Sequence, residues 1–275
     1  MIPFDLHSHC DLSFDGVSSA EDMVSTAVSL GMRYYALTDH VDLGDHADPD
    51  FDLAATVNGA REQIPPLRER YADRITLLYG VELGQPAHEP ELAEKLLSEN
   101  GYDFVIGSVH NIRGYEDFYF LDYTKLDVTK LLDAYFEELR ETAEWGRFDV
   151  LAHITYPLRY ITGEYGINVD MNRYSGVLDD TFRALIRNGC GIEINTSGLR
   201  QKIGVTMPDL PLVKRYRELG GEILTIGSDA HRTDDLGKGI SEGIAVAREA
   251  GFDRVCVFVK RKPTYIDTAN VQKGR

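Results

Sequence analysis

Six of the eight histidines in this chain stand where an apolar run gives out. His7 and His9 end the opening segment MIPFDL with one residue between them. Residues i and i+2 of an extended backbone share a face, so the two imidazoles project side by side. Asp15 follows on the next loop. His40 comes after MRYYALTD, Glu82 within ITLLYGVEL, His110 after FVIGSV and His153 after DVLA. Asn195 follows GIEI, and Asp229 and His231 follow ILTIGS. Imidazole and carboxylate together form a mixed N/O donor set suited to Zn, Mn or Fe. Cys10 points to the face opposite His9, and without thiolate donors an iron–sulfur cluster is excluded. The nine candidate ligands are His7, His9, Asp15, His40, Glu82, His110, His153, Asp229 and His231. They exceed the needs of one tetrahedral ion and suit two or three divalent cations. Asn195 reads as an orienting residue rather than a ligand.

The elements that must position these residues alternate regularly. Ser18 and Ser19, followed by Glu21 and Asp22, mark a helix start, and Gly31 its end. Residues 32–38 read as a buried strand, 51–71 as a helix kinked or split at Pro65-Pro66, and 75–83 as a strand. Helix 90–100, strand 104–109, helix 127–145 and strand 149–152 follow, then helix 172–188 and strand 191–194. Helix 208–219, strand 223–227, a helix near 236–250 and a last strand-like segment at 255–259 complete the pattern. Strands joined through helices run parallel with right-handed crossovers. Near-continuous apolar strands are buried on both faces. Polar residues at the end of every strand favour a barrel, which gathers its strand ends on one rim, over a doubly wound sheet with a single switch point. The expected fold is therefore an α/β, distorted TIM-like (β/α)7 barrel spanning residues 1–275 as one domain, with the metal site at the C-terminal rim of the strands.

Bulk properties narrow the function. The chain has 275 residues and a formal net charge of −16. Such a field repels nucleic acid phosphates, and no basic stripe overrides it. No apolar run reaches the roughly 18–20 residues that cross a bilayer. The N-terminus starts directly on a strand-like segment, so no leader is expected. Three widely spaced cysteines, Cys10, Cys190 and Cys256, fit reduced thiols in a cytoplasm.

The motifs HSH (7–9), TDH (38–40), GVELG (80–84), GSVH (107–110), LAH (151–153) and GSDAH (227–231) together resemble the PHP (polymerase and histidinol phosphatase) family of metal-dependent phosphoesterases. The resemblance spans nearly the whole chain and implies a three-metal centre. One metal would lie on His7, His9, Glu82 and Asp229, with Glu82 bridging to a second on His110 and His153. A third would lie on Asp15, His40 and His231. Position 15 varies in the family between His and a carboxylate, and Asp here makes the third site harder. Glu82, His110, His153 and Asp229 would thus be the catalytic core, placing the metals whose bridging hydroxide would attack phosphorus in line.

Within that family HITYPLRY (153–160), EINTSGLR (193–200) and VFVKRKP (257–263) look like the histidinol-phosphate phosphatase branch. Arg159 and Arg200 lie a few residues past strand ends, and guanidinium suits phosphate through paired hydrogen bonds. They are the candidate phosphate clamps. Asp42, His46, Tyr115 and Glu116 are loop residues that could meet the leaving group. The expected activity is hydrolysis of a small phosphate monoester, L-histidinol phosphate first, without nucleic acid or membrane partners and with a homo-oligomer left open. The alternatives are a family phosphoesterase acting on nucleotides or other small phosphate esters, and a non-catalytic scaffold of the same fold. The scaffold reading sits badly with a complete ligand set. Amidohydrolase chemistry shares the His-x-His start but uses a bridging lysine, a role that falls here to Glu82.

Overall fold

The apolar runs pair with one another in almost the order in which they occur. The computed structural model describes residues 2–44 and 52–270. In chain order the elements are β1 (Phe4–Asp5), α1 (Ala20–Ser29), β2 (Tyr34–Leu37), β3 (His40–Asp42), α2 (Leu53–Tyr71), β4 (Thr76–Gly84), α3 (Pro90–Asn100) and β5 (Phe104–Ser108). Then come α4 (Val128–Trp145), β6 (Val150–Leu151), α5 (Ser175–Asn188), β7 (Gly191–Asn195), α6 (Leu210–Glu218), β8 (Leu224–Gly227), α7 (Ile240–Glu249), β9 (Arg254–Val259) and β10 (Lys262–Asp267).

Seven strands lie side by side in the order β1-β2-β4-β5-β6-β7-β8, all parallel, and β3 adds a short parallel partner to the end of β4. Beyond their ends β1 and β8 are joined by a parallel bridge between Ser8 and Ala230. The His9 amide donates to Ala230 O at 2.8 Å and the Asp229 amide to His7 O at 2.8 Å, which nearly closes the (β/α)7 barrel. Strand side chains are buried on both faces, with Phe4, Leu78, Val105, Ile106, Val150, Ile192 and Ile226 wholly inaccessible. Burying an aliphatic side chain of this size contributes roughly 1.5–3 kcal/mol, so the strands are held mainly by their own apolar content.

The helices begin and end where local chemistry dictates. Ser19 caps α1 by accepting from the Asp22 amide, and Asp127 caps α4 by accepting from Lys130. Gly101, Gly146 and Gly189 end α3, α4 and α5 in the left-handed conformation that costs glycine least. The α4 face of Leu131, Leu132, Tyr135, Phe136 and Leu139 is buried, as its spacing predicts. Pro65 and Pro66 do not split α2, which runs unbroken from Leu53 to Tyr71. Both prolines are exposed, with Ile64 and Leu67 buried on either side, so the carbonyls deprived of a helical N–H face water. Helix 172–188 starts as a 3-10 turn over Met171–Tyr174 before α5.

Segment 255–259 stays outside the barrel. It pairs antiparallel with β10 through a two-residue turn in which Lys260 and Arg261 have φ of 52° and 61°. This hairpin lies against the entry ends of β5 and β6. The Lys260 amide donates to Asp103 Oδ1 at 3.0 Å, Arg261 Nε pairs with Asp149 Oδ2 at 2.7 Å, and Phe258 stacks on Phe104. No helix among the described residues is long and apolar enough to cross a membrane.

Candidate metal centre

The opposite rim carries the polar residues. The alternation that places His7 and His9 on one face also places their ring centroids 5.1 Å apart, both fully buried. Glu82 sits on β4, in register with His40 on β3. Its carboxylate is the hub of the site. Oε2 lies 3.2 Å from His7 Nε2, 3.5 Å from His9 Nε2 and 3.0 Å from His40 Nδ1. Oε1 lies 3.1 Å from His110 Nε2 and 2.8 Å from His153 Nε2. Asp229 Oδ1 is 3.4 Å from His9 Nε2 and 3.8 Å from His7 Nε2. At the outer edge Asp15 reaches His231 Nε2 at 3.0 Å and His40 Nε2 at 3.7 Å. The His9 ring is stacked between His40 and His231, with centroid separations of 4.1 and 4.2 Å.

All nine sequence-derived ligand candidates therefore converge. Three sets among them bring donor atoms close enough to share an ion, His7/His9/Glu82, Glu82/His110/His153 and His9/His40/His231, and a fourth, His40/Asp42/His110, adds Asp42. His7 Nε2, His9 Nε2, His40 Nδ1, Glu82 Oε2 and His231 Nε2 are buried without a hydrogen-bond partner. Unpaired buried polar atoms are costly, and lone pairs that converge without partners fit divalent cations. The donors are oxygen and imidazole nitrogen, as such ions require.

The same groups are strongly coupled electrostatically. Burial acts to lower the His7 pKa, but Glu193, Glu82 and Asp229 outweigh it and hold the imidazole well above its usual value. Burial, reinforced by His40 and His231, drives His9 well below the usual value. Glu82 and Asp229 are held well below the carboxylate range, the surrounding histidines overcoming burial.

Two carboxylates that the sequence did not assign to the metal centre stand behind the histidines. Glu193 Oε1 takes His7 Nδ1 at 2.7 Å, and its Oε2 accepts from the His153 amide at 3.2 Å. Asp42, expected on a substrate-facing loop, is buried on β3, 2.9 Å from His110 Nδ1. Both occupy the position from which a carboxylate fixes the tautomer of a metal-binding imidazole. Asn195 acts locally, accepting from the Ser197 amide and hydroxyl at 3.0 and 2.6 Å.

A cavity of about 430 Å³ opens onto this centre. His40, Glu82, His110, His153, Asp229 and His231 face it, with Arg159, Asp117 and the aromatic residues Phe14, Tyr119, Phe120, Tyr156 and Tyr160 around them. Arg159 donates to Ser197 Oγ at 2.7 Å and Asp229 Oδ2 at 3.1 Å, while its buried Nε has no partner. Arg200 is placed differently. Its guanidinium donates to the carbonyls of Ser228 and Asp229 at 2.9 and 3.4 Å, and the cavity wall is built without it. Asp229 has φ of 55°, unusual for a residue with a side chain, so Arg200 braces a strained stretch of backbone from behind. Tyr115 and Glu116 lie exposed on the loop before the aromatic wall, and His46 lies outside the described residues. His88 pairs with Glu138 at 2.6 Å, away from the centre.

A parallel barrel whose strand ends gather six imidazoles and two further carboxylates around one carboxylate hub belongs to the class of metal-binding (β/α) barrels. More specifically, the chain belongs to the PHP domain family, whose profile matches residues 5–197. It is 28% identical over 261 residues to a probable histidinol-phosphatase of Thermotoga maritima, covering 94% of this chain and 97% of that one. It is 25% identical to the histidinol-phosphatase of Lactococcus lactis, covering 94% and 95%. A crystal structure of histidinol phosphate phosphatase from Lactococcus lactis, complexed with zinc, L-histidinol and phosphate, shares the fold with a TM-score of 0.82 at 23% identity, over 96% of this chain and 99% of that one.

Proposed function

We propose that this protein is a metal-dependent phosphomonoesterase that hydrolyses L-histidinol phosphate to L-histidinol and phosphate, a step of histidine biosynthesis. The observation that carries the reading is Glu82, whose two oxygens face separate groups of imidazoles, His7/His9/His40 and His110/His153. That is how a carboxylate bridging two ions is placed. Full-length relatives bearing the histidinol-phosphatase name support the substrate.

In this proposal His7, His9, Glu82 and Asp229 hold one divalent ion, and Glu82, His110 and His153 a second. Asp15, His40 and His231 hold a third, with His9 packed against that group. The donor set suits Zn, Mn or Fe. Bound ions would supply Lewis-acid polarisation of the phosphoryl group and a water of lowered pKa. The chain's own residues do the rest. Glu193 and Asp42 hold the His7 and His110 rings in place. Arg159, anchored by Ser197 and Asp229 and stacked over Tyr156 at 5.0 Å, lines the cavity and offers its guanidinium to phosphate oxygens. Arg200 acts on phosphate indirectly, by fixing the Asp229 backbone. The aromatic wall excludes water from the leaving group. The net charge of −16 opposes nucleic acid as a substrate, and three free buried cysteines support a reducing cytoplasm.

The test is kcat/KM for L-histidinol phosphate against a panel of small phosphomonoesters and bis-p-nitrophenyl phosphate, on protein whose metal content is measured by elemental analysis. A preference for L-histidinol phosphate above about tenfold, lost on chelation and restored by a divalent ion, is expected. Faster turnover of the diester, or activity that survives metal removal, would overturn the assignment.

A further inference from the structure

One charged wall of the cavity is not absorbed by the metal centre or the phosphate clamp. Asp117 lines the cavity, half-buried, with Tyr119, Phe120, Tyr156 and Tyr160 also in its wall. Its Oδ1 is fully engaged: the Tyr119 amide donates to it at 2.7 Å and the Tyr156 hydroxyl at 3.2 Å. Its Oδ2 receives no hydrogen bond, and no lysine, arginine or histidine pairs with it, among the described residues. Burial raises its pKa, with His110 pulling the other way. A half-buried carboxylate with one free oxygen in a cleft is therefore a receptor for a cation or a strong N–H donor.

The surroundings define how that cation is attached. The Tyr156 ring packs 5.2 Å from His110 and 5.0 Å from His153, while its hydroxyl reaches Asp117 and Tyr160. One tyrosine thus separates the carboxylate from the site of hydrolysis. A nitrogen only a few bonds from the ester oxygen would span it. Tyr119 and Phe120 are among the most exposed large apolar side chains of the described residues, at 67% and 52%, and their rings meet edge to face at 5.1 Å. Aromatic faces stabilise a cation lying over them and cover a flat ring.

Building on the phosphomonoesterase reading, we infer that Asp117 is the specificity-determining counter-ion of the leaving group, so that the cavity selects phosphate monoesters whose alcohol carries a cationic nitrogen a few bonds from the ester oxygen. Asp117 Oδ2 takes the N–H of that group, and Tyr156, held by the same carboxylate, forms the floor beneath it. Metal and phosphate contacts are common to all monoesters, whereas this contact discriminates between them.

The experiment uses Asp117→Asn in the metal-loaded protein. Asparagine also caps, so it keeps an oxygen for the Tyr119 amide and the Tyr156 hydroxyl and preserves the local turn. The readout is the ratio of kcat/KM for L-histidinol phosphate to that for 3-phenylpropyl phosphate, a neutral ester of similar shape. Losing a charge-assisted contact should lower this ratio by about 10- to 100-fold. In parallel, L-histidinol binding measured by calorimetry should weaken by a similar factor in D117N. Equal losses on both esters would overturn the assignment, because Asp117 would then serve the chemical step or the fold. Unaltered L-histidinol affinity would overturn it as well. If the wild-type protein turned over neither ester, the phosphatase reading would fall, while calorimetry with L-histidinol would still decide for or against Asp117.

Discussion

Replacing Glu193 by glutamine changes one atom in the core of the barrel, and the structure says why that atom matters. Glu193 offers Oε1 to His7 Nδ1 at 2.7 Å and Oε2 to the His153 amide at 3.2 Å, with the Asn195 side-chain amide 3.3 Å away. Every partner that surrounds it is a donor when His7 carries its proton on Nδ1. That tautomer leaves the His7 Nε2 lone pair facing Glu82 and Asp229. Glutamine has one acceptor and one donor end. If its oxygen faces His7, its NH2 meets the His153 amide donor. If its oxygen faces His153, its NH2 meets His7 Nδ1, and the imidazole proton must move to Nε2, removing the lone pair a metal needs. Either choice carries a cost.

Loss of such a supporting carboxylate typically lowers metal affinity about 10- to 100-fold, which is roughly 1.4–2.7 kcal/mol. The side-chain volume is almost unchanged, so packing loss does not contribute. The assay is a competitive zinc titration against a chromophoric chelator, with elemental analysis of the dialysed protein and circular dichroism to confirm the fold. One site should weaken by that factor while Glu82/His110/His153 retains its ion. Wild-type affinity at every site in a folded Glu193→Gln protein would refute the reasoning.

Further expectations concern the rest of the rim and the base of the barrel. Glu82→Gln removes the charge shared by both imidazole groups and should abolish turnover with loss of bound metal from more than one site, measured by elemental analysis. His9→Ala should disturb two sites, because its ring lies between His40 and His231 as well as beside Glu82, whereas Asp15→Ala should deplete only the outer one; equal loss in both variants, seen by the same measurement, would count against the division. Arg261→Ala strips the ion pair from Asp149, whose pKa burial already raises against the pull of Arg261. A carboxyl with a raised folded-state pKa favours the fold while protonated and loses that contribution as pH rises. The variant's deficit in thermal stability, read on metal-free protein, should therefore grow with rising pH and shrink as the solution is acidified.

How far the sequence alone leads can be traced residue by residue. The strand-end histidines were legible because a polar residue closing an apolar run is visible without knowing the pairing. The caps at Ser19, Gly101 and Gly146 were legible because capping is local. Glu193 was not, since GIEI looks like an ordinary buried strand. Its one signal was a charge in the middle of a segment with no solvent-facing side, which demands a buried partner. Asp42 had the same i, i+2 relation to His40 as His9 has to His7, but the strand it belongs to starts after an interruption at Asp39. Arg159 and Arg200 looked alike in sequence, and only the backbone course after β6 and β7 sends one to the cavity and the other behind Asp229. Segment 255–259 has the composition of a barrel strand, and its diversion into a hairpin depends on Lys260 and Arg261 accepting positive φ, which neither residue type signals.

The bridge between Ser8 and Ala230 also sets a timetable for biosynthesis. The first donors of the centre leave the ribosome early and the last, Asp229 and His231, after more than two hundred further residues. At about 5–20 residues per second, His7 and His9 exist for roughly ten to forty-five seconds before the strand that buries them is made. During that interval a nascent chain offers a metal only an exposed histidine pair. On the proposed ligand assignment, loading of the complete centre follows closure, and translation stalled before β8 would yield a chain that lacks Asp229 and His231 and cannot form the closing bridge.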